Sequence, residues 1–150
     1  MKNILFAVVG VVLFSGLGYA VIHGQGAGSA SLAAVVTAND ASYRAGAYQD
    51  FSRAAYDRAL ADGKTVILDF HADWCPTCRA NEPVIRRTFE LNTDANLVGF
   101  KVNYDTEVAL KRTFHVTSQS TIIKTSVEKI PERLGPGPVT AESLAFFIRS

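Results

Sequence analysis

No Asp, Glu, Lys or Arg occurs between Lys2 and Asp40. Within that stretch Ile4 to Ile22 reads ILFAVVGVVLFSGLGYAVI. A helix needs about 20 apolar residues to cross a bilayer, and this run supplies them. It has no polar face, so it does not suit the surface of a soluble domain. Lys2 and the amino terminus place positive charge ahead of it, and the positive-inside rule then puts the rest of the chain outside the cytoplasm. A retained anchor fits the apolar length. A cleaved signal peptide, cut after Gly18-Tyr19-Ala20 or Gly28-Ser29-Ala30, is the other reading. Residues 1–23 are accordingly read as signal peptide or membrane anchor. Residues 24–45, opening on a Gly/Ala/Ser stretch, are read as a flexible tether, and residues 46–150 as one folded domain.

The remaining pattern alternates short apolar runs with amphipathic ones. Asp50 can cap a helix whose apolar positions include Phe51, Ala55, Ala59 and Leu60, ended by Asp62-Gly63. Thr65 to Phe70 (TVILDF) is apolar and β-branched, as a buried strand should be. Pro76 to about Thr88 predicts a helix with Pro83 inside it as a kink. Leu97 to Val102 predicts a second strand and Glu107 to Phe114 a short helix. Thr121 to Val127 predicts a third strand. Ile130 to Leu134 predicts a fourth, at an edge because Pro131 lacks an N–H. Thr140 caps a last helix with Ala141, Leu144, Ala145 and Ile148 at helical spacing. The order predicts an α/β fold with a mixed central sheet flanked by helices, preceded by the N-terminal hydrophobic helix.

Composition sharpens the picture in two places. The formal net charge is +1 over 150 residues, which leaves no basic footprint for nucleic acid. Only two cysteines are present, too few for a multi-disulfide scaffold or a four-cysteine zinc site. Both fall in one tetrapeptide, Cys75-Pro76-Thr77-Cys78, between a strand and a helix. A helix N-terminus offers unpaired N–H groups and a positive dipole end, which favour a thiolate at Cys75. Pro76 suits the first turn. Cys78 lies one turn on, within disulfide reach. A Cys75–Cys78 redox disulfide follows, with Cys75 attacking a partner disulfide and Cys78 resolving the mixed disulfide. A purely structural disulfide would close too small a loop to gain much. A metal site would need two more ligands, with His71 and His115 the only candidate histidines in the domain.

The segment TVILDFHADWCPTCRANEPVI resembles the active-site segment of thioredoxin-like proteins. Its ADWCPTC wording is most similar to the C-terminal periplasmic domain of the transmembrane disulfide reductase DsbD and its small membrane-tethered relatives. The resemblance implies the thioredoxin fold. It also implies a buried acid at Asp69 that relays a proton to or from Cys78, with Lys101 of FKVNYD facing that acid and moderating its raised pKa. Trp74 would shape the surface beside Cys75 and contact partners. Pro76 and Thr77 complete that surface, and Pro83 matches the family's kinked helix.

The sequence also departs from the family. Aligning FHVTSQSTIIK with the loop that faces the CxxC pair puts Ser120 where thioredoxins carry a cis-proline, between Gln119 and Thr121. Gln119, Ser120 and Thr121 are therefore candidate substrate-binding residues. The Gln119–Ser120 bond is either trans or held cis at a cost of about 2.5–4 kcal/mol. The Ser120 hydroxyl could hydrogen-bond the Cys75 sulfur, altering partner choice. His71 stands where thioredoxins usually carry an aromatic residue, as a packing substitute or a tuner of the thiols. The expected activity is thiol:disulfide exchange in the periplasm or on the extracytoplasmic face, reducing protein disulfides with electrons from a membrane donor protein. An oxidant or isomerase of the same fold and a copper chaperone using the two thiolates are the alternatives. The chain is expected to be a monomer, without a cofactor or a resident metal.

Overall fold

The computed structural model describes residues 42–150. The membrane-length run 4–22 and most of the expected tether lie outside the described residues. Among the described residues no helix is long and apolar enough to cross a membrane. Tyr43 already packs against the core, and its hydroxyl donates to Asp62 at 2.7 Å. Packing thus begins within the last residues of the stretch expected to be a tether.

Five strands form one mixed sheet: β1 (Tyr48–Asp50), β2 (Thr65–His71), β3 (Leu97–Asn103), β4 (Thr121–Thr125) and β5 (Glu132–Leu134). Their spatial order is β1-β3-β2-β4-β5. β3 runs parallel to both β1 and β2, while β4 is antiparallel to β2 and β5. Among the described residues four helices cover the sheet: α1 (Arg53–Ala61), α2 (Pro76–Leu91), α3 (Val108–Thr113) and α4 (Ala141–Arg149).

The expected alternation of elements is present, with adjustments that have local causes. Strand β1 was not anticipated, because YQD carries no apolar run. It pairs with Gly99 to Lys101 and occupies the sheet edge. The α1 cap is Ser52, whose side chain accepts from the Ala55 N–H, rather than Asp50, which ends β1. β4 stops at Thr125 and β5 starts at Glu132, after Pro131. α2 continues to Leu91 with Pro83 inside it.

Side-chain alternation along β2 divides the core. Val66, Leu68 and Phe70 join Val98, Phe100 and Val102 of β3 under α1 and α3. Ile67 faces the other way, toward Ile85 and Phe89 of α2 and Leu144 and Phe147 of α4. Gly99 permits this second layer to close, since a Cβ there would stand 2.5 Å from the Phe89 ring. Asp69 and His71 continue the Ile67 face. Two polar side chains are thereby placed inside the domain, behind the helix that opens with the cysteines.

Candidate active site

Cys75 is the N-cap of α2, and its sulfur accepts the Cys78 N–H at 3.2 Å. Pro76 occupies the first helical turn, where no N–H is required. Both thiols are free and buried, Cys78 more deeply. Burial pushes the Cys75 thiol up. Hydrogen bonds from the Cys78 thiol, the Cys78 and Thr77 backbone N–H groups and the Gln119 side chain outweigh it and hold the thiol below its ordinary value. Cys78 goes the other way. Burial and its bond to Cys75 push it up to about 11. One sulfur is thus prepared to carry charge while its neighbour keeps its proton.

Asp69 is 3% exposed. Burial raises its carboxyl to about 6 against the restraining hydrogen bond from Tyr48 and the charge of Lys101. The Tyr48 hydroxyl donates to Asp69 Oδ2 at 2.6 Å. Desolvation and the Asp69 charge drive Tyr48 far upward, so it stays protonated and remains a donor. Lys101 is the register partner of Asp69 across β2 and β3. It does not pair with Asp69, as the resemblance implied. Its Nζ lies 3.0 Å from Glu82 Oε2 on α2 and 4.0 Å from Asp73 Oδ1, and it acts on Asp69 only through its field. Glu82 offers a closer, partly solvated partner, also held by Arg86 at 2.7 Å, so the lysine avoids the dry side of the sheet.

The loop before β4 differs from expectation at two of its three residues. The Gln119–Ser120 bond is trans, and Ser120 adopts a left-handed φ of 60°. The Ser120 hydroxyl donates to the Gly137 carbonyl at 3.0 Å and accepts from Asn81 Nδ2 at 2.9 Å. Its proton is committed inside, so it does not serve the Cys75 sulfur; Gln119 does. Thr121 is fully buried, its hydroxyl bonded to the Ser118 carbonyl, and it offers no surface to a substrate. Gln119, Pro76 and Thr77 keep at least part of their surface in solvent around the sulfur. Trp74 is 58% exposed, and its indole N–H donates to Asp105 at 2.9 Å, which pins the ring to the turn after β3.

Asn81 is the residue the sequence concealed most completely. Its amide N–H groups reach Ser120 Oγ and the Gly137 carbonyl at 2.8 Å, and its oxygen accepts the Val139 N–H at 3.0 Å. The cysteine helix therefore holds the Ser120 loop and the 135–139 segment together. Gly135 (φ +91°) is required there, because a Cβ would approach the Ser120 carbonyl to 2.6 Å. The available signal was a polar residue three positions after Cys78, on the helix face that also carries Ile85 and Phe89. Tyr48 and Glu82 gave no comparable signal, since their importance arises from tertiary contacts.

His71 is also buried. Its Nδ1 lies 3.9 Å from Asp69 Oδ2, and its Nε2 lies 3.3 Å from Asp73 Oδ1 and 3.8 Å from Glu82 Oε2. Its charged neighbours are the carboxylates of Asp69, Asp73 and Glu82 and the ammonium group of Lys101. Among the described residues no group of three or more His, Cys, Asp and Glu side chains is arranged to hold a metal.

The thioredoxin family model matches residues 47–150. The chain is 30% identical over 90 residues to the thioredoxin of Coprinus comatus, covering 59% of this chain and 85% of that one. It is 38% identical over 73 residues to thioredoxin-2 of Saccharomyces cerevisiae, covering 48% and 68% respectively. Among solved structures, the crystal structure of Trxlp from Edwardsiella tarda EIB202 superposes with a TM-score of 0.61 at 34% identity. That match covers 67% of this chain and 97% of that one. The family match spans more than half of the chain, and these relatives and this structure agree with it: the chain belongs to the thioredoxin family, and it is a thiol:disulfide oxidoreductase with the thioredoxin fold.

Proposed function

We propose that the chain works outside the cytoplasm as a membrane-tethered reductant of protein disulfides, with Cys75 as nucleophile and Cys78 as resolving thiol. The observation that carries the chemistry is the asymmetry of the pair. Cys75 caps α2 and sits below its ordinary value, whereas Cys78 is raised to about 11. The Cys75 thiolate attacks a partner disulfide and expels one partner thiolate. Cys78 then loses its proton to Asp69 and attacks Cys75 Sγ. The Cys75–Cys78 bond forms, the mixed disulfide breaks, and the second partner thiolate leaves. Two electrons pass from the dithiol to the partner disulfide. Gln119, Pro76, Thr77 and Trp74 form the contact surface for the partner. A membrane electron-donor protein returns the pair to the dithiol.

Location and direction rest on the sequence. The charge-free apolar run behind Lys2 supports export with a retained anchor. Fusing the full chain to a reporter enzyme active only after export tests the location, and an inactive fusion contradicts it. The reduction potential tests the direction. A value near or below about −270 mV supports a reductant, and one near about −120 mV marks an oxidant. A Cys78→Ala variant should accumulate partners as mixed disulfides. Accumulation only with Cys75→Ala would reverse the two roles.

A further inference from the structure

Cys78 is far from water, and the carboxyl proposed to take its proton is equally dry. Asp69 sits at 3% exposure on the face of β2 that lies under α2. A proton accepted there must still reach solvent, and must return when the disulfide is reduced again. Tyr48 cannot carry it, because its hydroxyl is a permanent donor to Asp69 Oδ2. Lys101 is turned to Glu82.

His71 occupies the remaining route. The imidazole is 3% exposed, and its Nδ1 is a buried nitrogen without a hydrogen-bond partner. Unsatisfied buried polar atoms are uncommon and call for a reason. This one faces Asp69 Oδ2 at 3.9 Å, so an approach of about 1 Å makes a hydrogen bond. The opposite nitrogen, Nε2, is 3.3 Å from Asp73 Oδ1, whose side chain is 91% exposed. The ring also lines a cleft of about 280 Å³ shared with Asp50, Phe51, Asp73, Lys101 and Glu107. One edge of the imidazole thus faces the buried acid, and the other faces the exposed carboxylate of Asp73. The charged groups facing it are Asp69 on its own strand, Asp73 on the following turn, Glu82 on α2 and Lys101 on β3. Asp50 at the end of β1 and Glu107 at the start of α3 line the cleft beyond. Burial and Lys101 hold His71 below its ordinary value, which keeps the ring neutral and able to accept.

We infer that His71 carries the proton between Asp69 and solvent, outward as the Cys75–Cys78 disulfide closes and inward as it is reduced again. In the outward step Asp69 gives its proton to Nδ1 while Nε2 releases its own to Asp73 and water. In the inward step Nε2 takes a proton from the cleft, Nδ1 returns one to Asp69, and Asp69 reprotonates the Cys78 thiolate. One proton leaves and one returns per redox cycle, and the ring ends in its starting tautomer. His71 acts through Asp69, so the inference rests on the role given to that residue above.

The test uses the full-length protein and the single-turnover rate at which Cys78 resolves a preformed mixed disulfide on Cys75. His71→Gln and His71→Phe should both slow resolution by about a hundredfold, at the lower end of what a positioned proton carrier contributes. They should enlarge its solvent deuterium isotope effect and leave the initial attack by Cys75 unchanged. Wild-type resolution rates and isotope effects in both variants, with Asp69→Asn slow, would overturn the relay and leave Asp69 in place. A wild-type rate in Asp69→Asn would overturn both. Nitrogen NMR of the unaltered protein gives a check that needs no variant. His71 should carry its proton on Nε2 in the dithiol state and on Nδ1 in the disulfide state, and one tautomer in both states would contradict the relay.

Discussion

Replacing Asp69 by Asn should make the domain more stable at neutral pH while impairing resolution. The buried carboxyl is raised from 3.8 to about 6, because burial disfavours its charged form. Between those values the folded state holds a proton that the unfolded state has released. Stability therefore falls as pH rises through that window and stays reduced above it. The interval corresponds to a penalty of order 3 kcal/mol at pH 7. Asparagine removes the ionisation and keeps a carbonyl oxygen for the Tyr48 hydroxyl. For a domain of this size, about 3 kcal/mol is a rise in melting temperature of order 10 °C or more. The assay is a pair of thermal melts of the reduced proteins, at about pH 4 and pH 7, beside wild type. The gain should appear at the higher pH and shrink to within about 0.5 kcal/mol at the lower. Equal shifts at both pH values, or a loss at pH 7, would refute the assignment of Asp69 as a desolvated acid.

Three further perturbations probe the surroundings. Tyr48→Phe removes the 2.6 Å bond to the carboxylate. A hydrogen bond to a charged group is worth about 1.5–3 kcal/mol, so Asp69 should titrate about 1–2 units higher by carbon NMR. Ser120→Pro installs the residue that the resemblance implies at this position, yet proline cannot adopt φ +60° and cannot keep the Ser120 N–H bond to the Phe70 carbonyl. It should cost about 3 kcal/mol in denaturant unfolding, and an unchanged midpoint would show that the loop rearranges freely. Asn81→Ala leaves the Gly137 carbonyl, Ser120 hydroxyl and Val139 N–H each short of a partner. About 2–4 kcal/mol should be lost, with KM for a protein disulfide rising more than kcat falls.

The redox pair was legible because its requirements are local. A strand, two cysteines one turn apart and a proline at the first turn specify a capped helix N-terminus without reference to the rest of the chain. Asp69 was legible only through the resemblance of the segment around the cysteines to thioredoxin-like proteins, which places a buried acid six residues before Cys75. Its partners were not. Tyr48 lies 21 residues away on an edge strand too short to show a periodic pattern. The resemblance placed Lys101 opposite Asp69, and the strand register agrees, but a long side chain can choose among neighbours, and Glu82 stood nearer to water. Ser120 stood out through the resemblance, yet the direction of its hydroxyl depended on Asn81, 39 residues earlier. Pairwise contacts across the sheet and between loops are what a single sequence conceals.

The central claim is that the two thiols differ, with Cys75 ready to attack and Cys78 held in reserve. A carbon NMR titration of the reduced full-length protein, labelled at both cysteine Cβ positions, measures this directly. The account predicts that Cys75 titrates below its ordinary value of 9.0 and that Cys78 follows only near 11. Cys78 titrating first, or both thiols titrating together near 9.0, would contradict it.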